Sequence, residues 1–191
     1  MAMEKWTVLD SQVVVDNWPY SRTRRDRVRL PNGDEFNYFV QEYTDWVNAV
    51  VLTGKREIVL VRQYRHALGD FVLEIPGGMV EAGEVAAHAI AREVREETGY
   101  RSASEPIPLG RFWPNPAVAS NSVASFLMVG AVLDGPPRPD RTEDLEQIAM
   151  DWDDYGRLIE TGAIPHLFSA LTYYRAREYI ARHPGVVPGE K

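Results

Sequence analysis

Apolar residues in the first 75 positions come in short runs separated by turn signals, a pattern typical of β-strands. The signal Pro31-Asn32-Gly33 separates two of these runs and Gly54-Lys55 separates two others, which predicts two β-hairpins. Two shorter strand candidates precede both hairpins. The predicted strands are Trp6–Leu9, Gln12–Val15, Arg22–Leu30, Glu35–Glu42, Trp46–Leu52, Glu57–Tyr64 and Phe71–Ile75.

The period of the apolar residues changes to that of an α-helix between Gly83 and Gly99. Apolar side chains recur there at i, i+3, i+4 and i+7, which is the spacing of one buried helix face. The pair Gly83-Glu84 predicts the helix start, because an acidic residue suits the helix dipole there, and Gly99 predicts the end. The predicted apolar stripe consists of Ala87, Ile90, Ala91 and Val94.

Three carboxylates lie beside that stripe. Glu93, Glu96 and Glu97 are spaced i, i+3 and i+4, so a helix directs all three to one side. Like charges at this spacing repel one another, which predicts that a cation offsets them. A hard divalent cation such as Mg²⁺ prefers oxygen ligands and often shares its shell with substrate phosphates. The preceding Pro-Gly-Gly segment is predicted to form a loop where backbone can approach a ligand, because glycine lacks a Cβ.

The second half of the chain alternates between strand and helix patterns, which predicts the α/β class. The apolar run Val123–Leu133 predicts a central strand, and the proline-rich loop Pro136–Asp144 follows it. In the last helix, the apolar stripe is predicted to be Leu167, Ala170, Leu171 and Tyr174. The other predicted elements are the strands Ile107–Trp113 and Glu146–Trp152 and the helices Asp153–Glu160 and His166–Arg182.

Composition narrows the class of protein. The 191 residues, 45% of them hydrophobic, suffice for one sizeable core and a small extra subdomain. No apolar run reaches the roughly 18 residues of a membrane span, and the first ten residues lack the features of a signal peptide. The net charge of −7 disfavours a nucleic-acid-binding surface, and the absence of cysteine excludes thiolate chemistry. We therefore expect a cytoplasmic protein with neither nucleic acid nor a membrane as partner.

The stretch from the second glycine of that loop to Tyr100 resembles the Nudix box, GX5EX7REUXEEXGU, at all nine specified positions. The loosest match is Tyr100, an aromatic residue at a position that is usually aliphatic. The alternative is a solvated acidic helix face, but the agreement of loop, spacing and helix face favours a functional site. The matching residues are Gly78, Glu84, Arg92, Glu93, Val94, Glu96, Glu97, Gly99 and Tyr100.

Segments outside the box resemble the ADP-ribose and nucleoside diphosphate sugar pyrophosphatase branch of that family. Val61–His66 is similar to its QYR segment, Leu73–Gly78 to its LEIPGG segment, and Pro116 stands where ADP-ribose members carry a proline. The resemblance implies an α/β/α sandwich with a mixed sheet over residues 46–191 and a small N-terminal β subdomain over residues 1–45. It also implies a homodimer in which that subdomain swaps across and helps to form the substrate site.

The implied activity is Mg²⁺-dependent hydrolysis of the pyrophosphate bond of ADP-ribose or another nucleoside diphosphate sugar. The products are a nucleoside monophosphate and a sugar phosphate, and Mn²⁺ is the other metal candidate. By resemblance, Glu93, Glu96, Glu97 and the carbonyl of Gly77 hold the metal ions. Arg92 is expected to pair with carboxylates of the box and to hold them in position.

The general base is expected on the loop before a late strand. Glu143, Asp144 and Glu146 are the candidates there, and Glu143 is favoured. The alternative for each of them is a solvated loop charge or a residue at the start of the strand.

Substrate-binding residues are expected in both predicted domains. Arg65 and Glu74 match family positions that contact the phosphates and the base, although a surface ion pair is the alternative for Arg65. Aromatic rings can stack on a nucleobase, the alternative being burial in the core. Arg24 belongs to a stripe of arginines that either contact phosphate or pair with acidic side chains. The candidates are Arg65, Glu74, Trp18, Tyr20, Arg24, Trp46 and Pro116.

Two other functions stay open. One is a Nudix hydrolase of nucleoside triphosphates or dinucleoside polyphosphates, which the N-terminal hairpin and the QYR segment argue against. The other is a non-catalytic sensor of a nucleotide sugar, which the complete set of box carboxylates argues against. The segment Pro114–Ser122 departs from the Pro-Gly-Phe-like segment and glutamate of ADP-ribose members. A nucleotide sugar other than ADP-ribose therefore stays open as the substrate.

Overall fold

The computed structural model describes residues 3–140 and 143–187. The chain separates into two compact units. The first contains the residues up to Asp45 together with Phe112–Val123, and the second contains Trp46–Arg111 together with the residues from Ala124 onward.

The first unit is built on a three-stranded antiparallel sheet of β1 (Thr7–Asn17), β2 (Ser21–Arg29) and β3 (Glu35–Glu42), with β2 in the centre. The prediction of two short strands before residue 17 is wrong, because β1 is one continuous strand. Its register against β2 shifts between Val8 and Asp10 and again between Val13 and Val15. Such bulges interrupt the alternation of side chains without ending the pairing, which explains why the pattern looked broken.

The first unit keeps many apolar side chains exposed. Its buried residues include Val28 and the charged Asp26, each 5% exposed. Large apolar side chains on β1 and β3, just before β1 and in the turn after it are at least 40% exposed; they are Trp6, Val8, Val13, Val14, Val15, Trp18, Tyr20, Phe36 and Phe39.

The second unit is built on an eight-stranded sheet. The main hydrogen-bonded order is β11-β5-β4-β10-β8, with β6 beside β5, β7 beside β4 and β9 beside β10. The strands are β4 (Trp46–Thr53), β5 (Glu57–Arg65), β6 (Asp70–Glu74), β7 (Gly77–Met79), β8 (Tyr100–Arg101), β9 (Ile107–Phe112), β10 (Val123–Leu133) and β11 (Leu145–Asp151).

The predicted glycine loop is instead the short strand β7. Gly77 pairs with Asn48 of β4 and Gly78 pairs with Val47, in antiparallel register. The prediction was wrong because the partner strand lies about thirty residues earlier in the chain, and nothing local to the glycines indicates the pairing.

Three helices complete the second unit: α1 (Ala86–Thr98), α2 (Trp152–Glu160) and α3 (Leu167–Arg182). The predicted end of α1 is confirmed, because Gly99 caps it in the left-handed region at φ 72°. The predicted start at Gly83-Glu84 is two residues too early. Gly83 has φ 81°, and the Glu84 side chain accepts a hydrogen bond from the Glu81 amide at 3.1 Å within a turn.

Helices cover both faces of the large sheet. Val50 and Leu52 of β4 pack in one core with residues of α2 and α3, whereas Ala49 and Val51 pack in a second core with residues of α1. Because successive side chains of a strand point to opposite faces, α1 lies on one side of the sheet and the other two helices lie on the opposite side.

The buried face of α3 differs from the predicted one. Leu167 and Tyr174 are 61% and 40% exposed, so these two residues of the predicted stripe lie outside the core, whereas Ala170 packs against it. The helix instead buries Ser169, Thr172, Tyr173 and Ala176. The Ser169 hydroxyl is bonded to Ile75, just after β6, and the Thr172 hydroxyl is bonded to Asn48 of β4, which compensates for their loss of water.

None of the helices in the described part of the chain is long and apolar enough to cross a membrane. The cytoplasmic location stays a prediction.

Candidate active site

Two glycines of β7 bring the backbone of the sheet against α1. A Cβ added at Gly77 would lie 2.3 Å from the carbonyl oxygen of Val47 and 2.9 Å from Cα of Asn48. A Cβ added at Gly78 would lie 2.4 Å from Cδ of Glu93, so this carboxylate rests directly on the glycine. The backbone amide of Gly77 donates a 2.9 Å hydrogen bond to Oε2 of Glu97. A larger side chain at either glycine would displace one of these neighbours.

Glu97 is a buried carboxylate, and Glu93 is a partly buried one. Glu97 is 2% exposed and lies within the buried face of α1, not beside it as predicted. Burial raises the pKa of Glu97 to about 8; the Gly77 hydrogen bond opposes this rise, and the charges of Glu93 and Glu143 add to it. Burial likewise raises the pKa of Glu93 to about 6, against the opposing effect of Arg92. In both side chains the loss of hydration outweighs the positive charge nearby, which is Arg92 for Glu93 and Arg65 for Glu97.

Arg92 connects three carboxylates of the box. Its guanidinium binds Glu84 through two hydrogen bonds of 3.1 and 2.9 Å, and it also binds Glu93 at 2.9 Å and Glu96 at 3.1 Å. A further hydrogen bond of 3.1 Å reaches the carbonyl oxygen of Met79. Hydrogen bonding with Arg92 lowers the pKa of Glu84 below its usual range. The predicted pairing of Arg92 with Glu84 and its neighbours is thus present.

Of the three base candidates, Glu143 interacts electrostatically with Glu93 and Glu97. Its charge raises the pKa of both Glu93 and Glu97 after the larger effect of burial. One of its carboxylate oxygens accepts a 3.0 Å hydrogen bond from the Asp140 amide. Glu146 instead lies 3.3 Å from Arg62 in an ion pair whose side chains are both at least half exposed.

Arg65 and Glu74 form a pair at the edge of the same region. Nε and Nη2 of Arg65 donate to the two carboxylate oxygens of Glu74, at 2.9 and 2.5 Å. Glu74 is 3% exposed and the Arg65 side chain is 45% exposed, so the pair joins a buried carboxylate to a guanidinium that reaches the surface. The charges of Glu97 and Glu143 also act on Arg65. Nδ1 of His166 lies 3.9 Å from Glu74, and burial lowers the pKa of this imidazole.

The donor set suits a hard divalent cation. The carboxylates of Glu93, which is partly buried, and Glu97, which is buried, both have raised pKa values, and oxygen is the ligand atom that such cations prefer. Among residues 3–140 and 143–187, no group of three or more Asp, Glu, His or Cys side chains converges closely enough to hold a metal ion by itself. This arrangement suits Mg²⁺, which typically takes one or two carboxylates and completes its shell with water and substrate phosphates.

The remaining substrate-binding candidates fall in both units. Trp46 begins β4 and pairs with Met79 in the second unit. In the first unit, Trp18 and Tyr20 are 50% and 62% exposed, so neither is a core residue. Pro116 lies in the turn where the Val118 amide donates to the carbonyl of Asn115 at 3.0 Å.

Arg24 is held by two carboxylates of the first unit. Its guanidinium donates to Asp26 at 2.8 Å, and it also binds Glu42. These partners support the ion-pair interpretation of this arginine.

Several buried polar residues near β7 were not identified from the sequence. Asn48, Ser125 and Thr172 are at most 6% exposed, and the Thr172 hydroxyl is hydrogen-bonded to the side chains of the other two. Ser169 accepts a 3.2 Å hydrogen bond from the Ile75 amide. The only sequence signal for them is the presence of hydroxyl residues in the last helix, and it does not identify their partners.

Comparison with known proteins is consistent with this geometry. The family profile of the NUDIX domain matches residues 42–171, and that of the nucleoside diphosphate sugar hydrolase N-terminal domain matches residues 6–41. A solved structure described as an ADP compounds hydrolase superimposes with a TM-score of 0.84 at 18% identity, covering 97% of this chain and 100% of the other. That likeness confirms the predicted sandwich of helices around a mixed sheet.

Two curated relatives carry the same name. ADP-ribose pyrophosphatase of Bacillus subtilis is 30% identical over 148 residues, which are 77% of this chain and 78% of the relative. ADP-ribose pyrophosphatase of Mycobacterium tuberculosis is 32% identical over 130 residues, which are 68% of this chain and 61% of the relative.

Proposed function

Because this chain belongs to the Nudix family, we propose that it hydrolyses the pyrophosphate bond of a nucleoside diphosphate sugar with a divalent metal ion. ADP-ribose is the first candidate substrate, since both ADP-ribose pyrophosphatases named above align with most of this chain. The observation that carries the proposal is the pair of carboxylates, the partly buried Glu93 and the buried Glu97, against the glycines of β7. The products are a nucleoside monophosphate and a sugar phosphate.

The chemistry explains why such a site needs these residues. A pyrophosphate is poly-anionic, so it repels an attacking hydroxide, and its leaving phosphate gains charge in the transition state. A bound divalent cation supplies positive charge to the phosphoryl oxygens and lowers the pKa of a water molecule. Glu93, Glu96, Glu97 and the carbonyl of Gly77 would hold it. Mg²⁺ is the proposed ion and Mn²⁺ the alternative.

Arg92 has a positioning role in this proposal. Its hydrogen bonds to Glu84, Glu93 and Glu96 fix the rotamers of side chains that otherwise repel one another. Ligands held in this way need not be reorganised when metal and substrate bind.

Glu143 is the proposed general base. Its charge acts on both Glu93 and Glu97, which supports a location within reach of a metal-bound water. In this role its carboxylate accepts the proton of the attacking water as the new bond to phosphorus forms.

For substrate binding, Arg65 is the proposed phosphate contact. Glu74 holds the guanidinium in a bidentate pair and leaves its outer edge exposed, which suits an anionic ligand. The exposed rings of Trp18 and Tyr20, together with Trp46 and Pro116, are the proposed contacts of the nucleoside. Arg24 stays a weaker candidate because two carboxylates already bind it.

The first unit is proposed to mediate a homodimer and to contribute to the substrate site. Nine large apolar side chains on its sheet and turn are at least 40% exposed, which is an apolar surface that a second copy of the chain can cover. Sedimentation equilibrium tests this part directly. A dimer that dissociates when Val13 and Val15 are replaced by lysine supports it, and a monomer at micromolar concentration contradicts it.

Product analysis tests the function. The purified chain with Mg²⁺ is given ADP-ribose, ADP-glucose, GDP-mannose and UDP-glucose, and in parallel ATP and a dinucleoside polyphosphate. Release of a nucleoside monophosphate and a sugar phosphate from one of the nucleotide sugars, faster than any turnover of the last two compounds, supports the proposal. Faster turnover of ATP or of the dinucleoside polyphosphate contradicts it.

A further inference from the structure

Helix α3 places two buried hydroxyls against strand β4 and against Ile75, two residues before Gly77. The Thr172 hydroxyl donates to Oδ1 of Asn48 at 3.0 Å, and it lies 3.1 Å from the hydroxyl of Ser125, which can donate in return. One helical turn earlier, the Ser169 hydroxyl accepts a 3.2 Å hydrogen bond from the Ile75 amide. Ser169 and Thr172 are both fully buried.

Thr172 is connected to Glu97 through Asn48 and Gly77. Asn48 is the direct antiparallel partner of Gly77, and the two backbones are so close that a Cβ on Gly77 would lie 2.9 Å from Cβ of Asn48. Gly77 in turn donates its amide hydrogen to Oε2 of Glu97 at 2.9 Å. A shift of Asn48 therefore moves the amide that orients Glu97.

Ser169 holds the residues that precede Gly77 in the chain. Ile75 precedes Pro76, whose carbonyl oxygen accepts a 3.1 Å hydrogen bond from the Ala49 amide. The segment from Ile75 to Gly77 is thus held by α3 through Ser169 and by β4 through Ala49 and Asn48. Because Ser169 and Thr172 are fully buried, breaking their bonds to Ile75 and Asn48 would leave polar groups without water or protein partners, so these bonds are kept in the folded state.

We propose that Thr172, assisted by Ser169, is a positioning residue that sets the place of the Gly77 backbone and, through it, the Glu97 carboxylate. The proposal rests on the function proposed above, because it assigns Glu97 and the Gly77 carbonyl to the metal ion. Thr172 and Ser169 touch neither metal nor substrate, and they act from the helix layer opposite α1.

The variants separate positioning from general stability. Thr172→Val keeps the shape of the side chain and removes the hydroxyl, whereas Thr172→Ser keeps the hydroxyl and removes the methyl group. Thr53→Val is the matched control. It removes the hydroxyl of another buried threonine, which accepts hydrogen bonds from the Lys55 and Glu57 amides at 3.2 Å. Thr53 lies at the end of β4, whereas Asn48, the partner of Thr172, lies near its start.

Three readouts are compared at a temperature well below the Tm of every variant. The first is hydrogen exchange at the Gly77 amide in metal-free protein, the second is the Kd for Mn²⁺ from titration, and the third is kcat and KM. In Thr172→Val we expect faster exchange at Gly77, a Kd for Mn²⁺ raised about tenfold and kcat lowered by a similar factor, since outer residues that orient ligands have effects of this size. KM changes little, because Thr172 does not contact substrate.

Thr172→Ser should restore all three values towards those of the wild type. Thr53→Val should lower Tm and leave the three values unchanged. If Thr172→Val lowers Tm but has the wild-type Gly77 exchange and Mn²⁺ Kd, its role is structural and the proposal is overturned.

Two other results would also be informative: a Thr172→Val variant that does not fold, and a wild type without activity. If Thr172→Val does not fold, Ser169→Ala is measured in the same way, and wild-type exchange at Gly77 in that variant overturns the proposal. If the wild type turns over no nucleotide sugar, the proposed function fails, while the exchange and Mn²⁺ readouts still decide whether Thr172 positions Gly77.

Discussion

The amide of Gly77 and the carboxylate of Glu97 lie 2.9 Å apart, although twenty residues separate them in the chain. This bond joins the short strand β7 to the last turn of α1. Glu97 is buried, and its pKa is raised to about 8 by that burial. A buried carboxylate with a raised pKa is well suited to bind a cation. The cation stabilises the ionised form in place of the water that burial removed.

Replacement of Glu97 by Gln tests the metal assignment. The change removes one charge and keeps the shape, so we expect turnover to fall about 100-fold or more, since charge stabilisation by a bound metal is worth several kcal/mol. Steady-state kinetics with Mg²⁺ provide the measurement, and circular dichroism verifies the fold. Retention of most of the activity by Glu97→Gln would show that Glu97 is not a metal ligand.

The same variant makes a prediction about stability in metal-free protein. The pKa of Glu97 is raised from 4.5 to about 8 on folding, so the folded state binds more protons than the unfolded state between these values. The destabilisation caused by Glu97 is therefore absent below pH 4.5 and grows as pH rises towards 8. In EDTA, the Tm of Glu97→Gln minus that of the wild type should increase from pH 5 to pH 8. A difference that stays constant or decreases over this range contradicts the burial of an uncompensated carboxylate.

The two glycines of β7 should respond differently to alanine. At Gly78 the added methyl meets the end of the flexible Glu93 side chain, which can move, so the free energy of unfolding should change by about 1 kcal/mol or less. At Gly77 it meets the backbone of Val47 and Asn48, which cannot move easily, so we expect a loss of about 2 kcal/mol or more. Urea unfolding measures both.

Enzymatic activity provides a second test of the Gly78→Ala variant. Gly78→Ala displaces Glu93 and should lower kcat far more than its small effect on stability explains. Full activity in a stable Gly78→Ala variant would contradict a role for Glu93 at the metal.

Replacement of Glu143 by Gln tests the general base. The loss of a base typically lowers the rate by about 100-fold or more, and KM should change less than kcat. Asp144→Asn and Glu146→Gln are matched controls in the same loop and strand, and both should keep nearly the wild-type rate. If all three variants react at full rate, the base lies within the Nudix box.

The sequence predicted α1 and its carboxylates because their spacing is local. Glu93, Glu96 and Glu97 are within five residues of one another. Helix geometry alone directs them to one side, whatever the helix packs against. The cap at Gly99 was predictable for the same reason. By contrast, the burial of Glu97 depends on β7, and no pattern within α1 indicates it.

The pairing of β7 and the buried face of α3 were not predictable, since their partners are distant in the chain. Thr172 is separated from Asn48 by 124 residues and Ser169 from Ile75 by 94. An apolar stripe predicts the buried face of a helix only when the surface it packs on is apolar. Here β4 and the segment after β6 offer polar partners, so the face that carries hydroxyls is buried and Leu167 is exposed.

The most direct test of a metal-dependent nucleotide-sugar hydrolase is the stoichiometry of products from ADP-ribose. The chain is incubated with ADP-ribose, with Mg²⁺ or with EDTA, and the phosphorus species are followed by ³¹P NMR. We expect AMP and ribose 5-phosphate in equal amounts, at a rate that saturates with substrate and vanishes in EDTA. Saturable binding of ADP-ribose without any product in excess Mg²⁺ would contradict the hydrolase and indicate a sensor.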